Sequence, residues 1–325
     1  MFYLGIDVSK KKLDCLLLDT ATGKRKSKSI DNTPKGHADL LAWLDKQQAQ
    51  GVHVIMEPTG VYHEQAALAL TDGGVKLSLI NPAQLRQFAQ GIGVRTKTDA
   101  ADSAVLAQYG ASQQPSAWEP PSASVRQLRS LLARRDAVAE DLQREHNREE
   151  KTHASEPAPL VKSSIEESIA FLTRELERLE QAIASHIDND PDLREKKALL
   201  QSIPGVGKRG SDELTALLAS RSFERAEQLA AYLGLVPVEW QSGTSVRGRP
   251  RMSKAGPAHL RKLLYFPAVV ACRHNPHVRA LYERLLQRGK SKMSAIGAAM
   301  RKMAHLCFGV VKTGKPYDPN WATGA

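Results

Sequence analysis

The sequence predicts an α/β domain followed by an all-α remainder, and three observations carry that expectation. Up to about residue 115, short apolar runs alternate with helical patterns, the order expected of a mixed sheet flanked by helices. From Val125 to Ile187 no strand pattern occurs. Within that stretch Ile165, Ile169, Leu172, Leu176, Leu179, Ile183 and Ile187 recur at steps of three or four, the seam of a coiled coil.

Taken in order, residues 2 to 8 and 13 to 19 are apolar runs separated by Ser9-Lys10-Lys11-Lys12, which predicts a hairpin of two strands. A third strand near Ser27 to Ile30 follows the Thr22-Gly23 turn. Pro34 opens a helix with Leu40, Leu41 and Leu44 on one face, and Val52 to Met56 returns as a buried strand. A helix from Val61 to Leu70 leads to a last strand, Val75 to Ile80, closed by Asn81-Pro82. Pro115 to Ser124 has linker composition. The expected domains are therefore 1–115, a linker and antiparallel coiled coil over 116–195, and a mainly helical domain over 196–325. Glu156 to Pro159 divides the coiled-coil segment into two arms, so the seam pairs either with its own arm or with another chain. Ile203-Pro204-Gly205-Val206-Gly207 then joins two helices. It resembles a helix-hairpin-helix turn, in which Gly205 and Gly207 would let backbone N–H groups approach a phosphate; an ordinary helix–helix turn is an equal alternative.

A chain of 325 residues is too long for one small core. The longest apolar stretch, Leu264 to Cys272, is interrupted by Pro267 and far short of a membrane span. Residues 1–7 read as a strand rather than a secretory leader. Cys15, Cys272 and Cys307 lie too far apart for a disulfide framework or a zinc motif, which fits a cytoplasmic location. The formal net charge is +11 and is unevenly placed. From Gln241 onward there are 16 Lys and Arg against two acids, Glu283 and Asp318, whereas Met1 to Trp240 carries a net −3. A surface this basic is stabilised by a polyanion. With aromatics at 5%, base stacking cannot be its main mode, so contact with backbone phosphates is expected.

Four acids stand at the ends of apolar elements, where an ionised carboxylate costs desolvation unless a cation compensates. Asp7 alternates out of phase with Leu4, Ile6 and Val8, and so leaves its strand on the opposite face. Glu57 directly follows the Val52 to Met56 run and emerges near Asp7 if the two strands are neighbours. Asp99 and Asp102, spaced by three, share one face of a helix. Thr98 or Asp99 is a candidate N-cap, while Asp102 has no such structural excuse. Such a set supplies the oxygen ligands that Mg²⁺ prefers. Further on, Trp240 to Arg251 is polar and glycine-punctuated and reads as a loop. Ser242, Thr244, Ser245 and Ser253 are candidate nucleophiles, and residue chemistry alone does not choose among them. Arg247, Arg249 and Arg251, with Lys254, would stabilise a phosphate under attack.

These segments, Gly5-Ile6-Asp7-Val8-Ser9-Lys10, Glu57-Pro58-Thr59-Gly60, Asn81-Pro82, Lys97 to Asp102, Ile203 to Gly207 and Ser242 to Gly248, occur in an order that resembles the transposases of the insertion-sequence 110 family, the DEDD serine recombinases. The resemblance covers almost the whole chain. It implies an N-terminal RuvC-like (RNase H-like) mixed sheet with helices, a central coiled coil and a C-terminal transposase domain. It implies that Asp7, Glu57, Asp99 and Asp102 form the acidic tetrad and that Ser242 is the nucleophile. It further implies cleavage and rejoining of donor and target DNA through a covalent serine–DNA intermediate, guided by a bridge RNA, in dimers or higher homo-oligomers with no membrane involvement. A junction-resolving nuclease using the acids alone, or a nucleic-acid-binding scaffold without activity, are the competing expectations.

Overall fold

The computed structural model describes residues 1–94, 98–153, 158–239, 241, 242, 246–248 and 250–320. The chain divides into two compact units, Met1–Pro120 and Pro121–Ala325.

The first unit is built on a five-stranded mixed sheet. β1 (Phe2–Val8), β2 (Lys12–Asp19) and β3 (Arg25–Asp31) form an antiparallel meander, and β4 (His53–Met56) and β5 (Lys76–Leu79) run parallel to β1 on its other side. The order across the sheet is β3-β2-β1-β4-β5. One face buries Leu4, Ile6, Val8, Leu13, Cys15 and Leu17 against α1 (Pro34–Lys46) and α2 (Glu64–Asp72), whose Leu40, Leu44, Ala66, Ala67 and Leu70 share that core. The helix starts are set by local chemistry. Thr33 caps α1 by accepting from the Gly36 amide, and Asn81 caps α3 (Pro82–Gly91) by accepting from Ala83, each with a proline just inside the first turn. The helix expected from Val61 begins three residues later. Gly60 takes φ +51° and Val61 is 70% exposed, so these residues form a turn before the apolar face starts.

The opposite face of the sheet carries α4 (Asp99–Gln113), capped by Thr98, whose hydroxyl accepts from Ala101. Two glycines permit an unusually close approach. A Cβ on Gly5 would lie 1.9 Å from the Ser103 carbonyl oxygen, and one on Gly110 would lie 2.5 Å from Ile55. With Tyr3, Ile55 and Leu106 also buried, the central strand β1 is covered on both faces.

The second unit opens with two long helices, α5 (Ala123–His153) and α6 (Pro159–Asp188). They are antiparallel: Ser124 at the start of α5 donates to Asp190, just past the end of α6, at 2.6 Å, and its carbonyl lies 2.9 Å from Nε2 of His186. Burial along α6 is graded. Leu179, Ile183 and Ile187 are buried with Val125, Leu128 and Leu132 of α5, whereas Ile165, Ile169, Leu172 and Leu176 are half-buried. Helices α7 (Pro191–Gln201), α8 (Lys208–Ser220) and α9 (Ala226–Tyr232) follow, then α10 (Ala258–Leu263), α11 (Tyr265–His274), α12 (Pro276–Gln287) and α13 (Lys292–Thr313). Ala299, Met303, Ala304 and Cys307 of α13 sit in the centre of this core. Among the described residues no helix is long and apolar enough to cross a membrane.

One expectation is corrected here. Within the segment read as a loop, the described residues include short paired strands: β6 (Pro237–Val238) pairs with β9 (Arg251–Met252), and β7 (Gln241–Ser242) with β8 (Val246–Arg247), both antiparallel. Strands of two residues are held by backbone pairing and leave no run of alternating side chains to be read.

Candidate active site

Asp7 is the centre of the carboxylate cluster. It leaves β1 on the face covered by α4, opposite to Ile6 and Val8, and is paired in register with Asp14 of β2. Because α4 is seated on Gly5 two residues earlier, its first turn, with Asp99 and Asp102, is carried to the same end of the sheet. The Asp7 carboxyl is pushed above its ordinary value of 3.8. Burial is the largest cause, followed by the negative charges of Asp102, Asp99 and Asp14. Glu57 is placed by register. The last pair between β1 and β4 is Ile6 with Met56, so Glu57 stands level with Asp7 on the neighbouring strand. The turn that follows is tied down by Asn32, whose Nδ2 donates to the carbonyls of both Ser9 and Tyr62 at 3.0 Å. Oδ1 of Asn32 lies 2.9 Å from Nε2 of the buried His37.

Asp14 was not among the sequence candidates. The signal was present, since a hairpin closing at Ser9 to Lys11 sets Asp14 opposite Asp7, and both alternate out of the apolar face. A second correction concerns Asp102. Both Asp99 and Asp102 lie in the first turn of α4, where the helix dipole favours negative charge, so each has a local structural reason as well.

The donor set is suited to a hard divalent cation, being carboxylate oxygen throughout, and among the described residues no Lys or Arg forms an ion pair with Asp7, Asp14, Asp99 or Asp102. Among the described residues, too, no three His, Cys, Asp or Glu stand close enough to grip one ion unaided.

In the second unit, Ser242 and Arg247 stand on paired strands, Ser242 opposite Val246 and Arg247 opposite Gln241. Thr244, Ser245 and Arg249 lie outside the described residues. Arg251 and Lys254 are exposed, Lys254 in the left-handed region at φ +55°. The two glycines of the α7–α8 turn differ. Gly205, at φ +107°, is pressed against α11, where a Cβ would lie 2.7 Å from the Pro267 carbonyl, so its smallness serves packing. Gly207 is exposed at the start of α8 with open space beside it.

Two family profiles match this chain, one for DEDD-type transposases, described as "Transposase", over residues 4–152, and one described as "Transposase IS116/IS110/IS902 family" over residues 197–283. They put the protein in the class of transposases. Two full-length relatives, each named pilin gene-inverting protein, come from Moraxella lacunata and Moraxella bovis; each is 31% identical over 320 residues, covering 97% of both chains. The chain belongs to the IS110 family of transposases. A weak structural likeness, with TM-score 0.27 and 17% identity over 36% of this chain and 98% of the other, is to RuvC of T. thermophilus in complex with a Holliday junction substrate.

Proposed function

We propose that the protein cleaves and rejoins donor and target DNA under the direction of a bridge RNA, with Asp7, Glu57, Asp99 and Asp102 holding Mg²⁺ and Ser242 as the nucleophile. The observation that carries this reading is the Asp7 cluster: acids brought from β1, β2 and α4 to one sheet end, where burial and then their charges raise the Asp7 pKa and, among the described residues, no Lys or Arg forms an ion pair with them. The strand order β3-β2-β1-β4-β5 supports the RNase H-like interpretation of that unit, and the gene-inverting relatives support a reaction that rearranges DNA. A divalent ion would neutralise the cluster and polarise a phosphodiester oxygen.

The chain's own groups divide the work. Oγ of Ser242 forms the new bond to phosphorus as the bond to the departing sugar oxygen breaks. The serine hydroxyl loses its proton and the departing oxygen gains one. Attack by another strand's hydroxyl on the serine ester reverses the sequence and restores the serine, so bond energy is conserved for rejoining. Arg247, Arg249, Arg251 and Lys254 supply positive charge to the phosphate during attack, and Gly207 offers backbone approach at the start of α8. The half-buried part of the α6 seam, together with the exposed Leu160, Val161 and Phe171 of the same helix, supports coiled-coil pairing between copies of the chain. The reaction is placed in the cytoplasm.

The test uses the full-length protein with its guide RNA, DNA ends and Mg²⁺. A covalent protein–DNA adduct on denaturing gels should map to Ser242 and vanish in Ser242→Ala. An adduct that survives the change, or that maps to Ser245, removes Ser242 as the nucleophile.

A further inference from the structure

The first unit is not basic as a whole, yet its outer edge is. Between the exposed edge strand β3 and helix α1 runs a groove of about 640 Å³. Lys35, Asp39, Trp43 and Lys46 recur along one side of α1 and form its helical wall, while Lys12, Lys28 and Asp31 line the strand wall. The buried side of α1 is a different stripe, Gly36, His37, Leu40 and Leu44. The helix is held close to the strand end because Gly36 has no side chain: a Cβ there would lie 2.0 Å from the Asp31 carbonyl oxygen. Among the described residues the groove lysines form no ion pair, although Asp31 and Asp39 share the lining. The salt bridge formed among the described residues of this unit joins the N-terminal amine to Asp19. Lys28 instead sits 5.7 Å above the Trp43 ring and donates to the Asp39 carbonyl at 3.4 Å.

Register sets the β3 edge level with the acids but on the other face of the sheet: Lys28 pairs with Cys15 and shares the α1 face, whereas Asp7 and Asp14 leave on the α4 face, so a duplex has to pass round the β3 edge to reach them. Ser29 pairs with Asp14, and Asp14 with Asp7, so the β3 edge is two strands away from Asp7 at the same level of the sheet. Within the plane of the sheet that is about 10 Å, and the passage round the edge lengthens the path beyond roughly three nucleotides of rise. From Lys35 to Lys46 the wall extends about 16 Å, roughly five further nucleotides. We infer that the groove between β3 and α1 is a phosphate-tracking surface for the duplex DNA that flanks the cleaved bond. The inference rests on the DNA-cleaving interpretation of the Asp7 cluster. Duplex DNA fits better than a single strand because the Trp43 face is already covered by Lys28. The groove therefore offers point charges in a row and no open platform for an unstacked base.

Salt titration of binding by the full-length protein tests this, read by fluorescence anisotropy with a random-sequence DNA duplex and, separately, a single-stranded RNA of equal length. Replacing the lysines together, Lys28→Gln, Lys35→Gln and Lys46→Gln, should lower the slope of log affinity against log salt by about 2 to 3 and weaken duplex binding roughly 30- to 100-fold at about 0.15 M salt. Asp39→Lys should act oppositely, strengthening binding and steepening the slope. Unchanged duplex slopes in both variants overturn the inference, as does a loss confined to the RNA. Binding is measured without metal, so a failure of the cleavage mechanism shows as absent strand cutting with the slope change intact.

Discussion

Two groups of carboxylates in this chain have opposite surroundings. In the second unit, Asp136, Asp212 and Glu213 are provided for: Arg135, itself 2% exposed, reaches Asp136 and Glu213, Arg209 reaches Asp136, and the Lys197 ammonium lies 2.8 Å from Asp212 without hydrogen-bond alignment. These pairs fasten α5 and α7 to α8. Burial still pushes the Glu213 carboxyl up, against the lowering effect of Arg135. In the first unit, Asp7 meets Asp14, Asp99 and Asp102 with no paired cation among the described residues. Acids that hold helices together come with their counter-charges in the sequence. In the proposed metal site the compensating charge would come from outside the chain.

The largest expected effect breaks the second kind. Asp102→Ala should reduce metal-dependent strand cleavage by about a thousandfold, the scale of several kcal/mol of lost charge stabilisation, while the unfolding midpoint stays near that of the parent. Retained cleavage would return Asp102 to the role of a helix-end charge. The first kind should respond in the reverse manner. Arg135→Met leaves the buried Glu213 without its ion-pair partner, and urea denaturation should show a loss of about 3 to 5 kcal/mol. A cost below about 1 kcal/mol would show that the pairs contribute little to joining α5 and α8.

The smallest effect sharpens the contrast. Since the folded-state pKa of Asp7 is raised, the folded protein binds that proton more tightly than the unfolded chain. The stability contributed by this one group is then fully present below 3.8 and is lost as pH rises through the raised value. Asp7→Asn should abolish this dependence and stabilise the metal-free protein at neutral pH by at most about 1 kcal/mol, the residue being half-buried and partly screened. Added Mg²⁺ should raise the melting temperature of the parent and leave that of Asp7→Asn unchanged. A variant less stable than the parent without metal would mean that Asp7 is stabilised in the fold by something other than a bound cation.

Legibility followed the range of the interactions. The strands β1, β2, β4 and β5 and the pair α5 and α6 were readable because their patterns are local: alternation in the first, three-and-four spacing in the second. Asp7 was found as an acid out of phase with its strand, but Asp14 needed the hairpin register, which depends on a turn as well as a pattern. Arg135 was invisible. A buried arginine in a helix as charged as α5 looks like any solvated one until Glu213, 78 positions later, is brought to it. Gly205 had the residue type of a phosphate turn and is explained by α11, which the local sequence does not foretell.

The seating of α4 on Gly5 has a consequence for how the carboxylates are kept in place. Asp99 and Asp102 are separated from Asp7 by more than ninety positions of chain, yet their distance from it is governed by an omitted methyl group, since any side chain on Gly5 would collide with the Ser103 carbonyl. The helix rests on the strand as on a machined stop, so alignment of the charges is inherited from contact between backbones. Repulsion among the carboxylates, which would otherwise spread them apart, has to lift a whole helix off the sheet before it can widen the gap.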